Sequence, residues 1–117
     1  MRVIRTLAQG LEFPEGPVAL ADGSVLLVEI AAGTIARILP DGTKTIVARP
    51  GGGPNGAAIG PDGKCYVCNN GGFQWHVEGL HRRPIAQARD YAGGRIERID
   101  PETGGVECLY RSAGEVP

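Results

Sequence analysis

The sequence predicts an all-β protein built from two copies of a four-stranded antiparallel unit, and three observations predict it. Glycine (19) and proline (9) punctuate 117 residues whose apolar share, 42%, is ordinary. That combination points to many tight turns between short apolar runs. Second, EGPVALADGSVLLVEI (Glu15 to Ile30) lies over NGAAIGPDGKCYVCNN (Asn55 to Asn70) at an offset of 40. Third, GTIARILPDG (Gly33 to Gly42) lies over GRIERIDPET (Gly94 to Thr103) at an offset of 61. Ordered matches on both sides of a single gap seldom arise by chance. A repeat of ~40 residues with four short strands is the pattern of a β-propeller blade.

Taken in order, a run from Val3 to Leu7 precedes the first copy. Strands are expected at about 16–20, 24–30, 34–39 and 43–49, giving a first blade over about 15–50. The second blade, about 54–112, has expected strands at about 56–60, 64–69, 94–99 and 106–111. The Asp-Gly pairs at 22–23, 41–42 and 62–63 supply hairpin turns, read here as the primed type that needs positive φ. Proline before two of these pairs (Pro40 and Pro61) fixes the φ that opens a turn. Strand segments such as GTIARIL and GRIERID are β-branched and partly alternating. The two offsets differ by 21 residues, which places an insertion at about 71–93 in the second copy.

Two blades form an incomplete ring, since propellers usually have ~4–8. The chain is therefore expected to be part of a longer gene product, a shortened piece, or a module that closes a ring as a homo-oligomer. With 12 basic and 13 acidic residues interleaved, no surface is built for nucleic acid. No apolar run reaches the ~20 residues that span a bilayer, and the first ten lack a signal-peptide apolar stretch, so no membrane role and a cytoplasmic address are expected. Cys65, Cys68 and Cys108 do not make an even disulfide framework. Cys65 and Cys68 have CxxC spacing, but residues three apart on a strand face opposite ways, so they read as small sheet side chains rather than a metal pair.

In a propeller the first strand of each blade lines the central channel, and the residue just ahead of it projects into the channel mouth. Glu15, in FPEGP, and Asn55, in GGGPNGAA, hold this position in the two copies. A carboxylate and an amide that converge on one axis are oxygen donors suited to calcium, which takes ~6–8 of them. On position alone, two blander alternatives stay open: a solvated Glu15, and an Asn55 that only relieves a left-handed turn. The insertion GGFQWHVEGLHRRPIAQARDYAG carries an aromatic cluster of Phe73, Trp75, His76 and Tyr91. Long insertions in compact β folds often form lids or binding surfaces, so Trp75 and His76 are candidate substrate contacts. A polar crossover with Trp75 packed on the rim is the alternative.

LEFPEGPVALADGSVLLVEI, GGGPNGAAIGPDGKCYVCNNGG and GGRIERIDPETGGVE together resemble the opening blades of the SMP-30/gluconolactonase/LRE family, from about Leu7 to Leu109. The resemblance implies a six-bladed propeller with a divalent cation, usually calcium, in its channel and a lactone or related ester as substrate. It assigns the first metal ligand to Glu15 and a pocket position to Asn55. The family's other ligands, an Asn from a PND-like motif and a later Asn and Asp, come from blades outside this chain. No catalytic residue is therefore expected within these residues, and the isolated chain is expected to be inactive. A non-enzymatic propeller scaffold and a self-assembling two-blade module are the competing readings.

Overall fold

In the computed structural model, residues 3–112 are described. They form ten strands and, among the described residues, no helix. The first blade is β1 (Pro14–Ala19), β2 (Val25–Glu29), β3 (Thr34–Ile38) and β4 (Lys44–Ala48), an antiparallel meander in that spatial order. The second is β5 (Pro54–Ile59), β6 (Cys65–Asn69), β9 (Arg95–Ile99) and β10 (Val106–Arg111), likewise antiparallel. The insertion between β6 and β9 is a separate two-stranded hairpin, β7 (Phe73–Glu78) and β8 (His81–Gln87), where the sequence reading placed no strand. Its alternating Phe73, Trp75 and Val77 carry the strand signal. Pro84 does not break β8, because β8 has a partner on one side only.

The corners differ from the primed turns expected. Gly23, Gly42 and Gly63 have φ of 87°, 89° and 76°, while the aspartates before them do not have positive φ. Each glycine amide donates to a carbonyl three residues back, at 2.8 to 3.0 Å. These are type I turns closed by a left-handed glycine, the three-residue hairpin pattern. Asp22, Asp41 and Asp62 lock them by accepting the amides of Ser24, Thr43 and Lys64 at 2.9, 2.8 and 3.0 Å. The Asp22 carboxylate also binds Arg37, and Asp62 faces Arg98 at 3.8 Å, so the repeat conserves an ion pair as well as a turn.

Leu26, Val28 and Ile35 of the first blade pack against Cys65, Val67 and Ile99 of the second, so the main core lies between the blades. The other side of blade 1 is Leu27, Ala36 and Ile38, covered by Leu7, Ala8 and Leu11 from the chain ahead of β1. Residues 3–7 thus add no strand, although Leu7 joins a core. By the offsets, Leu26, Val28 and Ile35 correspond to Tyr66, Cys68 and Ile96 of blade 2. These point away from blade 1, beside Tyr110, which is 72% exposed. A groove of about 400 Å³ runs among Cys68, Ile96 and Tyr110.

Candidate functional site at the rim of the first strands

The first strands of the two blades, β1 and β5, lie side by side. Their approach is set by Gly16, whose φ is 54° and where a Cβ would stand 2.9 Å from the Ala57 amide nitrogen. Only glycine fits there without moving backbone. Its counterpart Gly56 has open space around it and no positive φ.

Both candidate oxygen donors sit inside these strands rather than ahead of them. Glu15 pairs with Val28, and the register slips by one residue between Glu15 and Val18. Asn55 is the extra residue where β5 slips against β6, between Pro54 and Gly56. A bulge therefore opens each first strand, and bulges turn side chains out of the regular alternation. Asn55 does not adopt a left-handed conformation, which removes the turn-relief alternative. Both side chains are exposed, and the Glu15 carboxylate accepts only a long 3.3 Å bond from the adjacent Gly16 amide.

Buried polar groups hold the segments that lead into the two strands. Glu29, at the end of β2, accepts the Glu12 amide on Oε2 at 2.8 Å, and Lys44 Nζ lies 2.6 Å from its Oε1. Asn69 holds the equivalent place at the end of β6. It accepts the amides of Gly53 and Gly71 at 2.9 and 3.0 Å and donates to the Gly51 carbonyl and to Glu97 Oε1, both at 2.8 Å. Arg95 completes this set, with Nε 3.1 Å from Glu97 Oε2 and a guanidinium N–H donated to the Pro50 carbonyl at 2.9 Å. The sequence reading missed Glu29, Asn69, Arg95 and Glu97, because polar and charged residues on a strand read as solvent-facing.

The hairpin rises at the same rim. It leaves after Asn69, which pairs with Pro54 beside Asn55, and returns into Arg95. Trp75 reaches back to blade 1, where its ring lies 5.1 Å from that of Phe13, two residues before Glu15. Phe73 meets Trp75 edge-on at 5.8 Å, and Arg82 pairs with Glu12 at 3.0 Å. His76 is adjacent to Trp75 on β7 and so points to the opposite face, where its partner is Glu78 at 3.7 Å. Trp75 and His76 are not brought together.

Among the described residues, no three His, Cys, Asp or Glu side chains cluster as a metal site. The CxxC pair diverges as expected: Cys65 is buried, with its thiol pushed up by burial, and Cys68 is exposed. Among the described residues no helix could cross a membrane.

Compared with known proteins, the sequence matches no protein-family profile and no curated protein. Among solved structures it is similar to the PQQ-bound form of aldose sugar dehydrogenase from Streptomyces coelicolor, with a TM-score of 0.63 and 24% identity. The match covers 95% of this chain and 34% of that one, so the chain spans about a third of that protein's length. Likeness at this identity speaks to fold alone. The protein is an all-β chain of two antiparallel four-stranded propeller blades.

Proposed function

We propose that the chain is the two-blade portion of a calcium-dependent lactonase or esterase of the SMP-30/gluconolactonase type, acting in the cytoplasm. Glu15 serves as a metal ligand, and Asn55 and Trp75 lie on the substrate side. One observation carries this reading. Two oxygen-bearing residues, equivalent by repeat, open two bulged strands that run side by side at one rim. A binding scaffold has no need of an unpaired carboxylate there. Glu15 suits calcium in kind, since a carboxylate is a hard oxygen ligand, but one ligand supplies only part of its ~6–8. The rest would come from groups beyond these two blades.

The chemistry a bound calcium supplies is Lewis-acid polarisation of the ester carbonyl. Glu15 contributes negative charge and one coordinating oxygen at the rim. Asn55 offers an amide N–H to a carbonyl or hydroxyl oxygen of the substrate. Trp75 provides an apolar wall that keeps water off one side of the ring. His76, on the reverse face of the hairpin, is left out of this contact set. The test is lactone hydrolysis by the complete propeller that contains these residues, with and without EDTA. Hydrolysis that needs calcium and falls by at least ~100-fold in Glu15→Gln supports the reading; EDTA-resistant hydrolysis sinks it.

A second reading is a two-blade module that assembles with copies of itself. The partly covered face of Tyr66, Cys68 and Ile96 favours it, because the matching residues of blade 1 are fully buried in the core. Solution mass decides, since ring closure demands an oligomer.

A further inference from the structure

We infer that a second copy of this chain docks head to tail, its blade 1 on the outer face of blade 2, and that residues 3–11 are a displaceable cap that regulates the contact. The inference deepens the self-assembly reading above and is independent of the lactonase one.

The contact between the blades inside the chain is the template. There Leu26, Val28 and Ile35 of blade 1 meet Cys65, Val67 and Ile99 of blade 2. By the repeat offsets, the first three correspond to Tyr66, Cys68 and Ile96, and the last three to Val25, Leu27 and Ile38. Strand pairing puts Val25, Leu27 and Ile38 on the side of blade 1 turned away from blade 2. It puts Tyr66, Cys68 and Ile96 on the far side of blade 2. One chain therefore carries both halves of a further such contact, at opposite ends, where they meet only between copies. A heterologous contact of this kind closes into a ring or runs on as an open chain.

The two halves are not equally open. On blade 2, Cys68 and Tyr110 are exposed, and the groove of about 400 Å³ lies along them. Val28, the counterpart of Cys68, is 0% exposed. On blade 1 the face is covered by Leu7, Ala8 and Leu11. That cover fits poorly. It leaves a gap of about 320 Å³ against Val25, Leu27 and Ile38. Ile46, paired with Ala36 on the same face, stays 37% exposed.

The way the cap is attached makes it displaceable. Phe13, with φ of 58°, is the single described non-glycine residue in the left-handed region, and it persists there because its surroundings hold it. The Ile30 amide donates to the Phe13 carbonyl at 3.0 Å, the Ala31 amide to the Glu12 carbonyl at 3.2 Å, and the Glu12 amide to buried Glu29 at 2.8 Å. Ahead of that anchor, among the described residues, 3–11 form no strand and make no backbone–backbone hydrogen bond. They hold to blade 1 by apolar contact at three half-buried side chains. A cap that must open first lowers the apparent affinity by the fraction of time it is open, so it sets the concentration at which copies join.

Cys68 reports the docked face, because docking buries it as Val28 is buried. Cys108, on the outermost strand and paired with Glu97, is the internal control. Labelling with a disulfide reagent is followed at rising protein concentration, with solution mass measured alongside. The expected result is a rise in mass, with Cys68 slowed at least ~10-fold and Cys108 unchanged. Leu7→Ser with Leu11→Ser, which loosens the cap, brings half-protection at a roughly tenfold lower concentration. A chain carrying Ile96→Glu and Cys68→Ser, blocked on blade 2 only, still protects Cys68 of the native chain when added to it. Should Ile96→Glu fail to fold, Tyr110→Glu at the exposed edge of the groove takes its place, and the mixing experiment decides if the serine pair fails. No protection on mixing, an assembly that leaves Cys68 reactive, or one unmoved by the loosened cap overturns the inference and leaves self-assembly standing. A chain that stays monomeric at every concentration, cap loosened or not, overturns both.

Discussion

Asn69 Nδ2 donates to Glu97 Oε1 at 2.8 Å across β6 and β9, with each residue only 3% exposed. The carboxylate is held in turn by Arg95, and the amide oxygen of Asn69 collects two backbone N–H groups from the segments on either side of the rim. Glu29 does the same work in blade 1 with one backbone amide and Lys44. Each blade thus fastens the approach to its first strand from inside, and the oxygen donors Glu15 and Asn55 ride on those anchors.

Asn69→Ala should destabilise the chain by about 2–4 kcal/mol, because it strands several buried polar groups at once. Urea denaturation checks this. Glu97→Gln, which keeps a hydrogen-bond acceptor for Asn69, should cost less than Glu97→Ala.

Gly16 and Gly56 occupy one repeat position with opposite surroundings. Gly16→Ala combines a positive φ with a backbone clash and should cost about 1–3 kcal/mol. Gly56→Ala meets open space at an ordinary φ and should be neutral or stabilising by up to about 1 kcal/mol in the same assay. Equal effects at the two sites would contradict the side-by-side placement of β1 and β5.

The internal repeat alone makes the fold legible in the sequence. Offsets of 40 and 61 matched Glu15 to Asn55, Asp22 to Asp62 and Arg37 to Arg98, and the same pairs recur in three dimensions as bulges, corners and ion pairs. Less legible was anything that depends on pairing. A bulge is a two-against-one count between strands, so Asn55 read as a residue before β5 when it lies within it. The hairpin was half-visible in the alternation of Phe73, Trp75 and Val77, and masked by Pro84. Phe13 gave no signal, since its φ comes from tertiary restraint and not from residue type.

Acid should weaken the chain between about pH 4 and pH 2. Hydrogen bonds from Lys64 and from the Glu102 and Thr103 amides hold the Asp100 carboxyl down at about 2, from 3.8. Asp22, Asp41 and Asp62 are lowered by their corner bonds, led by Ser24, Thr43 and Tyr66. A depressed folded pKa stabilises above the unfolded value and loses that contribution as pH falls through the folded one. Urea midpoints at pH 6, 4 and 2 should therefore fall, and Asp100→Asn should flatten part of the fall.

Thiol labelling separates the cysteines. Cys68 and Cys108 are exposed and should react readily with a disulfide reagent, while Cys65 should react only on unfolding. Prompt labelling of all three would contradict the inter-blade core.

The most direct measurement is an amide NMR titration of the chain with millimolar manganese, a paramagnetic stand-in for calcium at oxygen sites. If Glu15 holds the cation at the rim beside Asn55, resonances of Glu15, Gly16, Asn55 and Gly56 broaden first, and Glu15→Gln abolishes that selectivity. Broadening confined to the acidic corners at Asp62, Asp100 and Glu107, or indifferent to Glu15→Gln, would contradict the account.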